Sequence, residues 1–151
     1  MTGSLRSPLT PAHRDTLHAV IRRILPGTSG PGAAPTNAAS AVERALLARV
    51  FSPLRPAFEA MLDYLQAQSI EQWGAEFSAC GAEQQDDLLV GLEHDSNPAM
   101  RFLLRALIAF SLEGLLGDPS HGGNRAFLGW NAAGLQAVDV RSGFCRQVQE
   151  S

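Results

Sequence analysis

Apolar residues along this chain recur every three to four positions, the interval that lines one face of an α-helix. Leu17, Val20, Ile21, Ile24 and Leu25 form the first such stripe. Thr10 followed by Pro11 supplies an N-cap with proline at the first helical position, where its missing N–H costs nothing. The pattern predicts a helix from about Pro11 to Leu25. Residues 26–36 are dominated by proline and glycine, cannot continue that helix, and read as a loop inside the domain. A second helix is expected to begin after Thr36 or Asn37, to carry Val42, Ala45, Leu46 and Val50 on one side, and to end before Pro53. Phe58, Met61, Leu62 and Leu65 share the face of a third, after which Ser69 reads as the cap of a short helix whose Ile70, Trp73 and Phe77 point the same way. The next, Glu83 to Glu93, carries Leu88, Leu89 and Leu92 behind acidic residues at its start, where the helix dipole favours them.

Asn97-Pro98 opens the last long helix, to about Leu116, and Phe102, Leu103, Leu104, Leu107, Ile108, Phe110, Leu112, Leu115 and Leu116 make it apolar almost all round. Such a helix in a soluble protein is either wrapped by its own domain or covered in part by a partner, and it is expected to be the central one. No run of alternating apolar and polar residues precedes residue 135. The fold class that follows is all-α: a single-domain helical bundle over residues 10–151 after a flexible N-terminus at 1–9, with a Gly-rich loop behind the last helix and an irregular segment from Gln136 to Ser151.

Composition narrows the function classes. At 151 residues and 45% apolar content the chain fits one domain with a real core. Twelve basic against fifteen acidic residues, with no basic run, argue against a nucleic-acid or anionic-membrane surface. Every basic residue is arginine, which suits interfacial pairing better than lysine does. The run from Phe102 to Leu116 is interrupted by Arg105, Ser111 and Glu113 and is too short to cross a bilayer, so direct membrane insertion is not expected. The first residues show neither a twin arginine nor the apolar stretch of an export signal, which points to the cytoplasm; the periplasm is the alternative if a signal was removed or a partner carries it. Cys80 and Cys145 lack metal-ligand spacing and read as two semi-buried thiols rather than a bridge.

Candidate chemistry within the chain is sparse. Serine, histidine and aspartate occur without a Gly-x-Ser-x-Gly elbow, and His121 near Asp118 has no nucleophile fixed beside it by sequence, so a small enzyme built on those two residues is the weakest of three readings. His13 and His18 do not have the i, i+4 spacing of a helical metal site, and His94 suits a helix C-terminus. The glycines at 114–117 and 27–32 lack the preceding strand of a dinucleotide or phosphate loop. No cofactor or metal is therefore expected in this chain.

The most specific stretch is the one that leaves the last helix. From Glu113 to Trp130 it reads E-G-x-x-x-D-P-x-H-G-G-N-R-x-x-x-G-W. Gly122 and Gly123 permit backbone geometry closed to other residues or the close approach of another chain, Pro119 fixes the turn after Asp118, and His121, Asn124 and Arg125 present polar groups. Read by itself, the loop can be self-contained, with Asp118 and Asn124 satisfying local amides, Arg125 paired to a carboxylate and Trp130 plugging the core. It can equally be a docking surface, and a loop stiffened by its own hydrogen bonds loses less entropy on binding. Glu113 sits where the helix dipole disfavours a carboxylate, so Arg125, Arg105 or amides of the loop are expected to compensate it.

That spacing resembles the hallmark of the gluconate 2-dehydrogenase subunit 3 family. The Leu-Thr-Pro opening, Ile24-Leu25-Pro26 followed by Gly30-Pro31-Gly32-Ala33, and the Gln85-Asp86-Asp87-Leu88-Leu89 helix look like the family in the same order, over roughly residues 9–134. The resemblance implies a small helical protein without a redox cofactor of its own. Its partner would be a large FAD-dependent catalytic subunit of the glucose-methanol-choline type, a sugar or glycoside dehydrogenase that the small subunit binds, stabilises or matures as a chaperone. Asp118, His121, Gly122, Gly123, Asn124, Arg125 and Trp130 are then the partner-binding candidates, with Glu113 and Pro119 in structural roles. The chain departs from the family in lacking the twin-arginine signal that often exports both subunits, and in having Leu135-Gln136-Ala137 where an aromatic-Pro-Gly ending is usual. A free-standing helical adaptor is the alternative function.

Overall fold

The computed structural model describes residues 9–25, 34–48 and 52–116. They form five α-helices: α1 (Pro11–Ile24), α2 (Ala34–Leu47), α3 (Arg55–Trp73), α4 (Ala82–Glu93) and α5 (Pro98–Leu116), with 3-10 turns at Ser52–Leu54 and Phe77–Ala79. Among the described residues there is no strand, and the all-α expectation is met.

Each helix starts and stops for a local reason. The Thr10 hydroxyl accepts the His13 N–H at 3.2 Å and Pro11 follows it, as the sequence predicts for α1. The Asn97 side chain accepts the Ala99 N–H at 2.9 Å and opens α5. Gly81 has no side chain to cap α4, but its own N–H is taken by the Gln84 side chain at 2.9 Å. At the far end of α4 the His94 ring lies 3.0 Å from the Val90 carbonyl, a donor placed where the last carbonyls need one.

Two elements differ from the sequence reading. α2 begins at Ala34, ahead of Thr36, because Pro35 falls in the first turn, where no intrahelical N–H is required of it. Val50 lies outside the described residues. The larger difference is at Ser69, which caps nothing: α3 runs unbroken from Arg55 to Trp73, and the Ser69 hydroxyl donates to the Gln66 carbonyl at 2.9 Å. Ile70 is consequently 51% exposed instead of facing the core. The chain stops at Gly74, whose φ of 67° is the left-handed conformation that ends helices. Phe77 then returns to the core from a separate 3-10 turn.

The core draws on every helix. Leu17, Val20 and Ile21 of α1, Val42 and Leu46 of α2, Phe58, Met61, Leu62 and Leu65 of α3, Leu92 of α4 and Leu107 of α5 are almost fully buried, together with Phe77. Each such side chain contributes about 1.5–3 kcal/mol by leaving water. Phe77 is held by its backbone as well: its N–H donates to the Gln66 side chain at 3.1 Å, and its carbonyl accepts from the Gln85 amide at 2.8 Å. The Phe77 carbonyl also accepts the Cys80 N–H of its own 3-10 turn at 3.2 Å, so both backbone polar groups are satisfied at a buried point where the aromatic ring reaches the core.

α5 is not wrapped on all sides. Leu103, Leu104, Leu107, Ser111 and Gly114 are buried, whereas Phe102 is 58%, Leu112 42% and Leu116 37% exposed. Its inner side packs more extensively on α2 than any other two elements pack on each other. No described helix is long and apolar enough to cross a membrane.

Candidate partner interface

Gly114 seats the C-terminal end of α5 against α2, just ahead of the Gly-rich stretch of the sequence. A Cβ at Gly114 would lie 2.8 Å from the Ala41 Cβ and 3.4 Å from both the Cα and the carbonyl oxygen of Ala38. The two helices meet through one glycine and two alanines, so their backbones approach more closely than larger side chains permit. Ser111, fully buried one turn earlier, donates its hydroxyl to the Leu107 carbonyl at 2.7 Å and needs no partner on another helix. The Glu-Gly pair that opens the motif therefore divides its roles. Gly114 faces inward and seats the helix, and Glu113 faces outward, exposed, without a hydrogen bond or ion pair among the described residues. Arg105, expected as one possible partner of Glu113, lies two turns away on the exposed side and does not reach it. Arg125, Asp118, Pro119, His121, Gly122, Gly123, Asn124 and Trp130 lie outside the described residues, as does Cys145. Cys80 is a free, half-buried thiol.

Polar side chains elsewhere tie α1 to its neighbours. Glu43 of α2 accepts from Arg14 Nε at 3.2 Å and pairs with His18 Nε2 at 2.9 Å, so one carboxylate bridges two positions of α1. His13 Nε2 lies 2.6 Å from Asp63 of α3, and its other ring nitrogen is buried without a partner. In the neutral tautomer whose Nε2 donates to the carboxylate, the buried atom carries only a lone pair, less costly to leave unpaired than an N–H. The two histidines thus serve separate helix contacts, and among the described residues no three His, Cys, Asp or Glu side chains gather as a metal site would require.

The strongest of these ties joins α1 to α4. Arg23 donates to Asp86 through Nε at 2.8 Å and through a terminal nitrogen at 2.6 Å, a bidentate pair. The hydrogen bonds from Arg23 hold the Asp86 carboxyl below its ordinary range, and the same pair raises the Arg23 guanidinium. Because the folded-state value of Asp86 is depressed, its contribution is present above the ordinary carboxylate range and is lost as pH falls through the lowered value. Asp86→Asn is expected to lower the melting temperature slightly at neutral pH. The gap between variant and wild type should close on acidification, as a pH series of thermal melts would show. The same helix supplies Gln85 to the Phe77 clamp and Leu88 to the core, so the Gln85-Asp86-Asp87-Leu88-Leu89 sequence is an anchoring strip with three targets. Glu43 and Gln66 were not legible as contacts, because a carboxylate or amide on a half-exposed helix position carries no sequence sign of what it will reach.

These features define a small helical protein in which several ion pairs and amide contacts tie the helices together and in which, among the described residues, α5 keeps one side exposed. The chain belongs to the gluconate 2-dehydrogenase subunit 3 family: residues 11–136 match the family described as Gluconate 2-dehydrogenase subunit 3, small subunits of dehydrogenase complexes. No curated protein and no solved structure matches it.

Proposed function

We propose that this chain is a non-catalytic small subunit that binds, stabilises or matures a FAD-dependent sugar or glycoside dehydrogenase of the glucose-methanol-choline type. Family membership across residues 11–136 carries this reading. Flavin and the oxidation chemistry reside in the large subunit; the small one contributes a folded surface. The docking residues we assign are Asp118, His121, Gly122, Gly123, Asn124, Arg125 and Trp130, which follow α5 in sequence, with structural roles for Pro119 and Glu113. The isolated chain is expected to show no oxidoreductase activity and no flavin absorption, and stoichiometric FAD binding by the purified chain would contradict this.

Gly122→Val tests the docking assignment. A β-branched side chain there blocks left-handed backbone geometry or fills the space a partner needs, at a cost of about 1–3 kcal/mol if the residue is held at positive φ. The expected outcome is loss of large-subunit capture in a pull-down with the circular dichroism melt largely preserved. Undiminished capture would remove the loop from the interface.

A further inference from the structure

The outward side of α5 has an arrangement that its buried side lacks. Phe102, Arg105, Ala109, Leu112, Glu113 and Leu116 are all exposed, and at about 100° per residue they fall on one stripe, opposite the buried Leu103, Leu104, Leu107, Ser111 and Gly114. The stripe reads alike from either end about Ala109. Phe102 and Leu116 are large apolar residues equally far along the helix from Ala109. Arg105 and Glu113, nearer and again equidistant, carry opposite charges. Leu112, nearer still, is exposed, while its counterpart Ala106 is half-buried against the chain's own core.

We propose that two copies of this chain pair through this face, their α5 helices antiparallel and crossing at Ala109. A two-fold interface must be complementary to itself. In this register Phe102 lies level with Leu116 of the second copy and Arg105 with Glu113, and the symmetry makes each pair twice. Parallel pairing would set Arg105 beside Arg105 and Glu113 beside Glu113. Neither of these two charges has a partner among the described residues. Ala109 at the crossing lets the helix axes come within about 8–10 Å. One helix pair is at the low end of stable interface sizes, so the dimer is expected to dissociate in the micromolar range. The proposal concerns the chain alone and does not depend on the large-subunit reading.

The test has two parts, both on the full chain. In a Cys80→Ser/Cys145→Ser background, Ala109→Cys puts the two introduced thiols on the symmetry axis, and mild oxidation should give a reducible dimer; Val90→Cys, on the exposed side of α4, should not. By sedimentation across the micromolar range, Arg105→Glu and Glu113→Arg should each weaken self-association about tenfold, because two attractive pairs become repulsive, and the double variant should restore it. Circular dichroism should be unchanged throughout. A chain that stays monomeric, an Ala109→Cys variant that does not cross-link, or a double variant no better than the singles would overturn the proposal. A monomer whose Phe102→Glu variant folds but no longer captures the large subunit would assign the face to that subunit instead.

Discussion

Gly114→Leu is expected to cost this protein most of its stability. The smaller change, Gly114→Ala, already places a methyl group 2.8 Å from the Ala41 Cβ. That overpacking costs about 1–3 kcal/mol, against about 1 kcal/mol gained by replacing glycine inside a helix. The alanine variant should therefore be near neutral or mildly destabilised. Leucine adds three more carbons with α2 backbone directly in the way, and α5 must move off α2 to admit them. For a domain whose total stability is about 5–15 kcal/mol, the loss should be visible as a lowered urea midpoint or as outright unfolding. Because the proposed docking residues follow directly on α5 in sequence, large-subunit capture should fall with stability. A leucine variant that melts like wild type would mean that α2 and α5 do not meet at this point.

Phe77→Ala should be nearly as damaging. The ring is fully buried, and truncating a buried phenylalanine costs about 3–5 kcal/mol, through lost burial and through the cavity it leaves. Gln85→Ala should cost less, about 0.5–1.5 kcal/mol, because it removes the 2.8 Å donor but leaves the Phe77 carbonyl the Cys80 N–H at 3.2 Å and keeps the ring in place. The combination should cost less than the two separately, since once the ring is gone the turn has little left to position. Denaturation of the two single variants and the double variant checks this. Additive effects would mean that the amide clamp and the ring act independently.

The parts of the fold that sequence made legible are those governed by spacing and by local caps. Thr10-Pro11 and Asn97-Pro98 start helices because their side chains and ring constraints act within one turn, and Phe58, Met61, Leu62 and Leu65 form a stripe that leaves one choice of buried face. Ser69 was misread because a serine hydroxyl can satisfy an amide ahead of it or a carbonyl behind it, and only the continuing helix decides between them. The Phe77 clamp could not be read, since Gln66 and Gln85 sit on two different helices and meet the turn only after folding. Gly114 was visible as part of a motif, but its reason, a close approach to Ala38 and Ala41, depends on a helix crossing that no spacing rule supplies. For the interface, sequence offered the resemblance and the residues after Leu116. The described structure adds the seating of α5 that precedes them.

The central claim is that the chain serves a flavoprotein without taking part in its chemistry. The most direct measurement is the flavin content and dehydrogenase activity of the large subunit co-expressed with this chain, with its Gly122→Val variant, or without it. We expect a soluble, flavin-loaded, active large subunit only when the wild-type chain is present, and a flavin spectrum that travels with the large subunit when the two are separated. A large subunit equally loaded and active without this chain would contradict the account.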